Sequence, residues 1–125
     1  MAGLGRLLVV DDDRRFAQEL VTDAQRLGLE VDAVHDPATF EDALGRWGPS
    51  LIAMDLVMPG ADGLELIHIC ARQKFGGGLI LMSGGYELYL KMAGDIADSH
   101  GLKVVAQLPK PFRPKQFSYL LMSLI

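Results

Sequence analysis

The sequence predicts a doubly wound α/β fold, a five-stranded parallel sheet in the order 2-1-3-4-5 flanked by five helices. Three features carry that prediction. Short apolar runs alternate with longer segments of helical period along the whole chain. The first, third and fourth runs are continuously apolar, as expected of strands covered by helices on both faces. Four of the runs end in polar residues at the carboxyl end, where open α/β sheets bind their ligands.

In chain order, the first strand is Leu7-Leu8-Val9-Val10, followed by Phe16, Leu20, Ala24 and Leu27 at the spacing of one helix face. Val31 to Val34 is the second strand. Asp36-Pro37 then offers an N-cap and a proline at the first helical position, ahead of Phe40, Leu44 and Trp47. The third strand, Leu51 to Met54, precedes Leu64, Ile67 and Ala71, and the fourth, Leu79 to Met82, precedes Leu88, Met92 and Ile96. The fifth, Val104 to Leu108, runs into Pro109, which an edge strand tolerates. Pro114 opens a last helix carrying Phe117, Leu120, Leu121 and Leu124. Gly28, Gly48-Pro49, Gly76-Gly77-Gly78 and Gly101 fall where helices should stop. With no internal linker, low-complexity tract or repeat, residues 1–125 are expected to form a single domain.

Composition narrows the function. Of 125 residues, 16 are acidic and 12 basic, for a net charge of −4, and no Lys/Arg cluster forms a surface for nucleic acid. No apolar run approaches the roughly 18–20 residues that span a bilayer. The start, Met1-Ala2-Gly3-Leu4-Gly5-Arg6, lacks the pattern of a secretory signal. With Cys70 the only cysteine, the expected location is the cytoplasm.

The polar strand ends define a site. The first strand ends in Asp11-Asp12-Asp13, the third in Asp55, the fourth in Ser83 and the fifth in Lys110, whereas the second ends in Val34-His35 with no matching group. The order 2-1-3-4-5 sets the four equipped strands side by side. Carboxylates crowded in one crevice repel unless protonated or bridged by a cation. An all-oxygen cluster suits Mg²⁺ or Mn²⁺ better than zinc. A lysine and a hydroxyl facing such a metal complete a phosphoryl-transfer site, in which a central carboxylate becomes an acyl phosphate.

Leu8-Val9-Val10-Asp11-Asp12, then Asp55 through Val57-Met58-Pro59 to Asp62-Gly63, then Met82-Ser83-Gly84, then Lys110-Pro111-Phe112 resemble the receiver domains of bacterial two-component response regulators. The resemblance covers the whole chain and implies the flavodoxin/CheY-like fold. It implies Asp55 as phosphoacceptor, charged from the phosphohistidine of a sensor histidine kinase or a phosphotransfer protein. Metal would sit on Asp11, Asp12, Asp55 and the backbone carbonyl of Val57. Lys110 would pair with the phosphoryl oxygens, Ser83 would be the switch hydroxyl, and Gly84 would leave room for the phosphoryl group. The Lys110-Pro111 peptide would be cis. Such a domain is a phosphoacceptor that assists its own phosphorylation and dephosphorylation, not an enzyme acting on other molecules.

Departures from the family pattern are informative. Gln107 stands where receivers commonly carry Tyr or Phe, so the switch is expected to run through the loop Gly84-Gly85-Tyr86. Val57 and Gly85, each two residues beyond a site residue, offer nothing to orient a water, which predicts slow loss of phosphate. Asp62-Gly63 reads as a turn into the third helix, with glycine supplying unusual backbone angles. Apolar residues beyond the needs of the core, Leu88 and Met92 with Tyr119 and Met122, suggest a homodimer or output-docking face on the fourth and fifth helices. No acid lies between Lys103 and Leu108, so the salt-bridged dimer of DNA-binding regulators is not expected. The stretch Gly101 to Phe112 resembles receivers fused to cyclic-di-GMP phosphodiesterase domains. A chain of this length leaves the output to a fused or separate domain.

Two other functions compete. A haloacid-dehalogenase-type phosphatase would use Asp11 as nucleophile in a D-x-D signature, but it leaves the Asp55 motif unexplained and no second acidic pair follows Lys110. A receiver that binds protein without phosphate conflicts with the complete set of Asp11, Asp12, Asp55, Ser83 and Lys110. His35, His68 and His100 are dispersed and make no metal site, Cys70 and Trp47 read as packing residues, and Asp13 reads as a helix cap.

Overall fold

Five strands form one parallel sheet in the order β2-β1-β3-β4-β5: β1 (Arg6–Val10), β2 (Glu30–Val34), β3 (Leu51–Asp55), β4 (Gly78–Ser83) and β5 (Lys103–Pro109). Helices α1 (Arg14–Arg26), α2 (Phe40–Trp47), α3 (Gly63–Arg72), α4 (Glu87–Ser99) and α5 (Pro114–Leu124) follow the strands in turn. This computed structural model describes residues 5–85 and 87–125, with the backbone alone at positions 61 and 114. The expectations for the amino-terminal segment and for Tyr86 lie outside the described residues.

The period-two alternation of a strand divides the core. Leu7 and Val9 of β1 face α1 and α5, where they pack with Ala17, Leu20, Ala24, Phe117 and Leu121. Leu8 and Val10 face the other way, into Phe40, Leu44, Leu66, Ile67, Leu90 and Ala93 of α2, α3 and α4. Burying each of the larger side chains among these contributes about 1.5–3 kcal/mol, which anchors all five helices to the sheet. Cys70 is fully buried in the second of these layers, and burial pushes its thiol up to about 12.

Helix ends follow local chemistry. Asp13 caps α1 by accepting the Phe16 N–H at 3.1 Å. Asp36 accepts from the Ala38 N–H, but the turn it opens, Pro37–Thr39, is 3₁₀, and α2 begins only at Phe40. The Asp36 carbonyl takes both the N–H and the hydroxyl of Thr39, which tightens that turn. Gly48 and Gly101 occupy the left-handed region after α2 and α4 as expected. After α3 that conformation falls to Lys74 (φ 55°) instead, and the Phe75 N–H closes onto the Cys70 carbonyl before the glycine triplet is reached.

Two details depart from the sequence reading. Gly63 has no unusual backbone angle; the positive φ of this turn lies at Gly60 (81°). A Cβ at Gly63 would stand 2.6 Å from the Leu56 carbonyl oxygen and 2.7 Å from its Cα, so glycine is required there by close backbone approach. In β5, Leu79 pairs with Val104 but Ile80 pairs with Ala106, leaving Val105 as an extra residue. That bulge lets Val104 pack on the α4 side while Ala106 and Leu108 pack on the α1–α5 side.

Candidate functional site

The carboxyl ends of β1, β3, β4 and β5 converge on one crevice. Asp11, one residue past β1, is fully buried; its N–H donates to the Val34 carbonyl at 3.0 Å and its Oδ1 accepts from the Asp13 N–H at 3.0 Å. Asp55, the last residue of β3, is 4 % exposed. Its Oδ1 accepts from the Val57 N–H at 3.0 Å, where the chain turns sharply into a two-residue ladder of Val57–Met58 with Ala61–Asp62. Asp12 is exposed at the mouth. One carboxylate oxygen from each of Asp11, Asp12 and Asp55 lies within 4.8 Å of the others.

Lys110 enters from the end of β5. Its N–H donates to the Ser83 carbonyl at 2.8 Å, and the Lys110-Pro111 peptide is cis. The ammonium donates to Asp11 Oδ2 at 2.7 Å and to Asp55 Oδ2 at 3.2 Å. Ser83 is buried, and its hydroxyl finds no hydrogen-bond partner among the described residues. An unpaired buried hydroxyl costs free energy, which makes this one a candidate donor to a bound group. Gly84 is exposed beside the lysine, with room for a Cβ 3.6 Å from Lys110 Cβ. Val57 is 55 % exposed at the rim.

The electrostatics are those of a site short of positive charge. Burial raises the Asp55 carboxyl above its ordinary value, with the Asp11 charge adding to the effect; the Val57 N–H and Lys110 oppose it and lose. For Lys110 burial works against the charged form, but the Asp11 hydrogen bond and the charges of Asp55 and Asp11 outweigh it and raise the ammonium above its ordinary value. Two of the three clustered carboxylates, Asp11 and Asp55, thus share one ammonium, and Asp12 beside them has no contact with it among the described ion pairs. The donor set is all oxygen, hard and anionic, which fits Mg²⁺ or Mn²⁺.

The predicted residues Asp11, Asp12, Asp55, Val57, Ser83, Gly84 and Lys110 therefore line one site. The Asp13 carboxylate is instead the α1 cap, and only its backbone N–H reaches the site, at Asp11 Oδ1. Sequence reasoning missed His35, whose Nδ1–H donates to the Asp11 carbonyl at 3.0 Å and braces the acidic turn from β2. A histidine directly after an edge strand that neighbours β1 was the available signal. It also missed that Phe16, read as a core residue, lies with its ring centroid 4.3 Å from the Lys110 ammonium.

A parallel sheet in this order, with an acidic crevice opposed by a lysine and a hydroxyl at its carboxyl edge, defines a protein of the CheY-like class. The chain belongs to the response regulator receiver domain family, whose model matches residues 7–121. Among curated proteins it is 34% identical to protein PetR of Rhodobacter capsulatus, over 88% of this chain and 44% of PetR. It is also 34% identical to the transcriptional regulatory protein GltR of Pseudomonas aeruginosa, over 93% of this chain and 47% of GltR. The chain thus spans less than half the length of these relatives. Among solved structures, a response regulator from Colwellia psychrerythraea superposes with a TM-score of 0.82 at 32% identity, covering 97% of this chain and 96% of that one. Among the described residues no helix is long and apolar enough to cross a membrane.

Proposed function

We propose that Asp55 is the phosphoacceptor of this receiver domain, taking its phosphoryl group from a sensor histidine kinase or a phosphotransfer protein. The observation that carries this reading is the position of Asp55, nearly buried at the end of the central strand, between an acidic pair and a lysine with an unpartnered hydroxyl. An Asp55 carboxylate oxygen attacks phosphorus; a P–O bond forms as the P–N bond to the phosphohistidine breaks, and the leaving imidazole takes a proton from solvent. Asp11, Asp12, Asp55 and the Val57 carbonyl would hold Mg²⁺ or Mn²⁺, and the ion supplies charge neutralisation for the carboxylates and phosphoryl oxygens. Lys110 pairs with those oxygens from the opposite side, Ser83 donates its hydroxyl to them, and Gly84 leaves space for them. The same groups serve loss of phosphate to water.

Incubation with acetyl phosphate and Mg²⁺, followed by mapping of the labelled residue, tests this reading. Label at Asp55, abolished by Asp55→Asn, is the expected result. Label at Asp11 would overturn it in favour of a haloacid-dehalogenase-type phosphatase, and no label at all would favour a receiver that works without phosphate.

The outward face of α4, β5 and α5 is the proposed output surface. Leu88, Met92, Tyr119 and Met122 are exposed on it, and a groove of about 480 Å³ between α4 and β5 is lined by Glu87, Leu88, Leu90, Lys91, Gln107 and Pro109. This surface suits a homodimer or a fused or separate output domain. GltR is named as a transcriptional regulator, which favours a transcriptional output over the cyclic-di-GMP phosphodiesterase suggested by residues 101–112. The net charge of −4 and the scattered Lys and Arg residues argue against nucleic-acid binding by the receiver itself, and a cytoplasmic location completes the proposal.

A further inference from the structure

Four contacts close into a ring at the first turn of α1. The Asp13 N–H donates to Asp11 Oδ1 at 3.0 Å, and Asp13 Oδ1 accepts the Phe16 N–H at 3.1 Å. The Phe16 ring stands 4.3 Å from the Lys110 ammonium, which donates back to Asp11 Oδ2 at 2.7 Å. The ring is held from behind. Phe112 meets Phe16 edge-on at 5.4 Å and stacks on the buried Phe117 at 6.3 Å.

We propose that Phe16 is a positioning residue for Lys110, its ring holding the ammonium over the phosphoacceptor while the lysine exchanges hydrogen-bond partners. The inference rests on the phosphoacceptor reading of Asp55. A lysine side chain is flexible, and its three donors carry no fixed geometry. Before phosphorylation, Asp11 and Asp55 fix this one, but both carboxylates are also candidate metal ligands, and an arriving phosphoryl group competes for the same donors. An aromatic face attracts a cation through its quadrupole and consumes no particular N–H. It can therefore hold Nζ in place while the carboxylates let go. The Lys110 side chain is 18% exposed, and such an attraction strengthens as water is excluded. Packing alone asks less of this position, because the sheet-facing stripe of α1 is Ala17, Leu20, Val21 and Ala24, and Phe16 itself is half-buried. A leucine keeps an apolar side chain at this half-buried position without the ring.

The test compares Phe16→Leu and Phe16→Met, which remove the ring, with Phe16→Tyr, which keeps it. In metal-free wild-type protein the Lys110 methylene proton resonances should be displaced upfield by the ring current. Phe16→Tyr should retain the displacement, and the leucine and methionine variants should lose it. Labelling of Asp55 by acetyl phosphate with Mg²⁺ should slow about three- to tenfold in the ring-free variants, the range an exposed to part-buried cation–π contact supports, and stay near wild type in Phe16→Tyr. Ring-free variants that fold and label at the wild-type rate would overturn the inference, as would a tyrosine variant as slow as the leucine variant. Wild-type protein labelled anywhere but Asp55 overturns the phosphoacceptor reading and this inference with it, whereas normal wild-type labelling with unaffected variants overturns the inference alone.

Discussion

The Lys110 ammonium spans two carboxylates, 2.7 Å from Asp11 Oδ2 and 3.2 Å from Asp55 Oδ2. One side chain thus neutralises part of the charge that a divalent cation would neutralise more fully. Removing it with Lys110→Met leaves buried carboxylate oxygens unpaired, and the metal-free protein should lose roughly 1–3 kcal/mol of stability. The same change removes a competing cation, so Mg²⁺ should bind severalfold more tightly. Calorimetric titration with Mg²⁺ checks the second effect, and an affinity equal to or weaker than wild type counts against this account of the lysine.

Asp55 makes a prediction with a definite sign in pH. Its carboxyl is raised above the ordinary value of 3.8, chiefly by burial, so the fold disfavours its ionised form. For such a group the favourable contribution is present below the unfolded value and is lost as pH rises through the folded one. In metal-free buffer at neutral pH, Asp55→Asn should therefore be more stable than wild type. The gap should narrow as pH falls through the folded value toward 3.8 and close below 3.8, where the aspartate is protonated in both states. Urea midpoints measured across that range decide it; a gap that widens on acidification would refute the assignment. Added Mg²⁺ should stabilise wild type more than the variant.

Val57 bears on the lifetime of the phosphorylated state. It is 55 % exposed beside Asp55, and its side chain offers a passing water neither donor nor acceptor. Val57→Asn supplies one hydrogen bond there, worth about 1 kcal/mol, and should speed loss of phosphate roughly three- to tenfold. The decay of labelled protein after removal of acetyl phosphate measures it directly. An unchanged lifetime shows that water is oriented elsewhere.

Gln107 changes how a signal can leave the site. Its amide lies where a Cβ of Gly94 would project from α4, so the side chain is laid across that helix, and residue 107 offers no ring to rotate. The motion is then expected in the loop after β4, at Gly84 and Gly85, which are exposed and carry no side chain to hold them in place. Backbone relaxation of those two glycines should change on addition of beryllofluoride, a phosphoryl mimic. Equal rigidity in both states would rule this route out.

The parts of the site legible in the sequence are those where a polar side chain interrupts an apolar run. Asp55 and Ser83 end their strands, Asp11 and Lys110 directly follow theirs, and parallel pairing aligns strand ends, so one topology brings all of them together. Contacts that depend on backbone atoms leave no such mark. His35 meets a carbonyl, Gly63 meets the main chain of Leu56, and the bulge at Val105 lies between two apolar neighbours, Val104 and Ala106, with no turn residue to mark it. The edge-on pair of His68 and His100, at 5.0 Å, joins α3 to the end of α4 and was equally invisible, because residues on different helices share no spacing.

Two glycines of the same kind in sequence should respond oppositely to a methyl group. At Gly63 a Cβ would meet the Leu56 carbonyl oxygen at 2.6 Å and its Cα at 2.7 Å, main-chain atoms pinned on one side by the Leu56 N–H bonded to the Met82 carbonyl at 2.9 Å. Nothing there can yield without disturbing the turn that carries Asp55, so Gly63→Ala should cost about 1–3 kcal/mol or more. At Gly94 the obstacle is the far end of the exposed Gln107 side chain, which can swing into solvent. Gly94 lies inside α4, where alanine is favoured over glycine by about 1 kcal/mol. Gly94→Ala should therefore match or exceed wild-type stability while freeing Gln107. Denaturant unfolding of both variants tests the pair. A strongly destabilised Gly94→Ala would mean that the Gln107 contact holds α4 in place and that its amide is not free to leave.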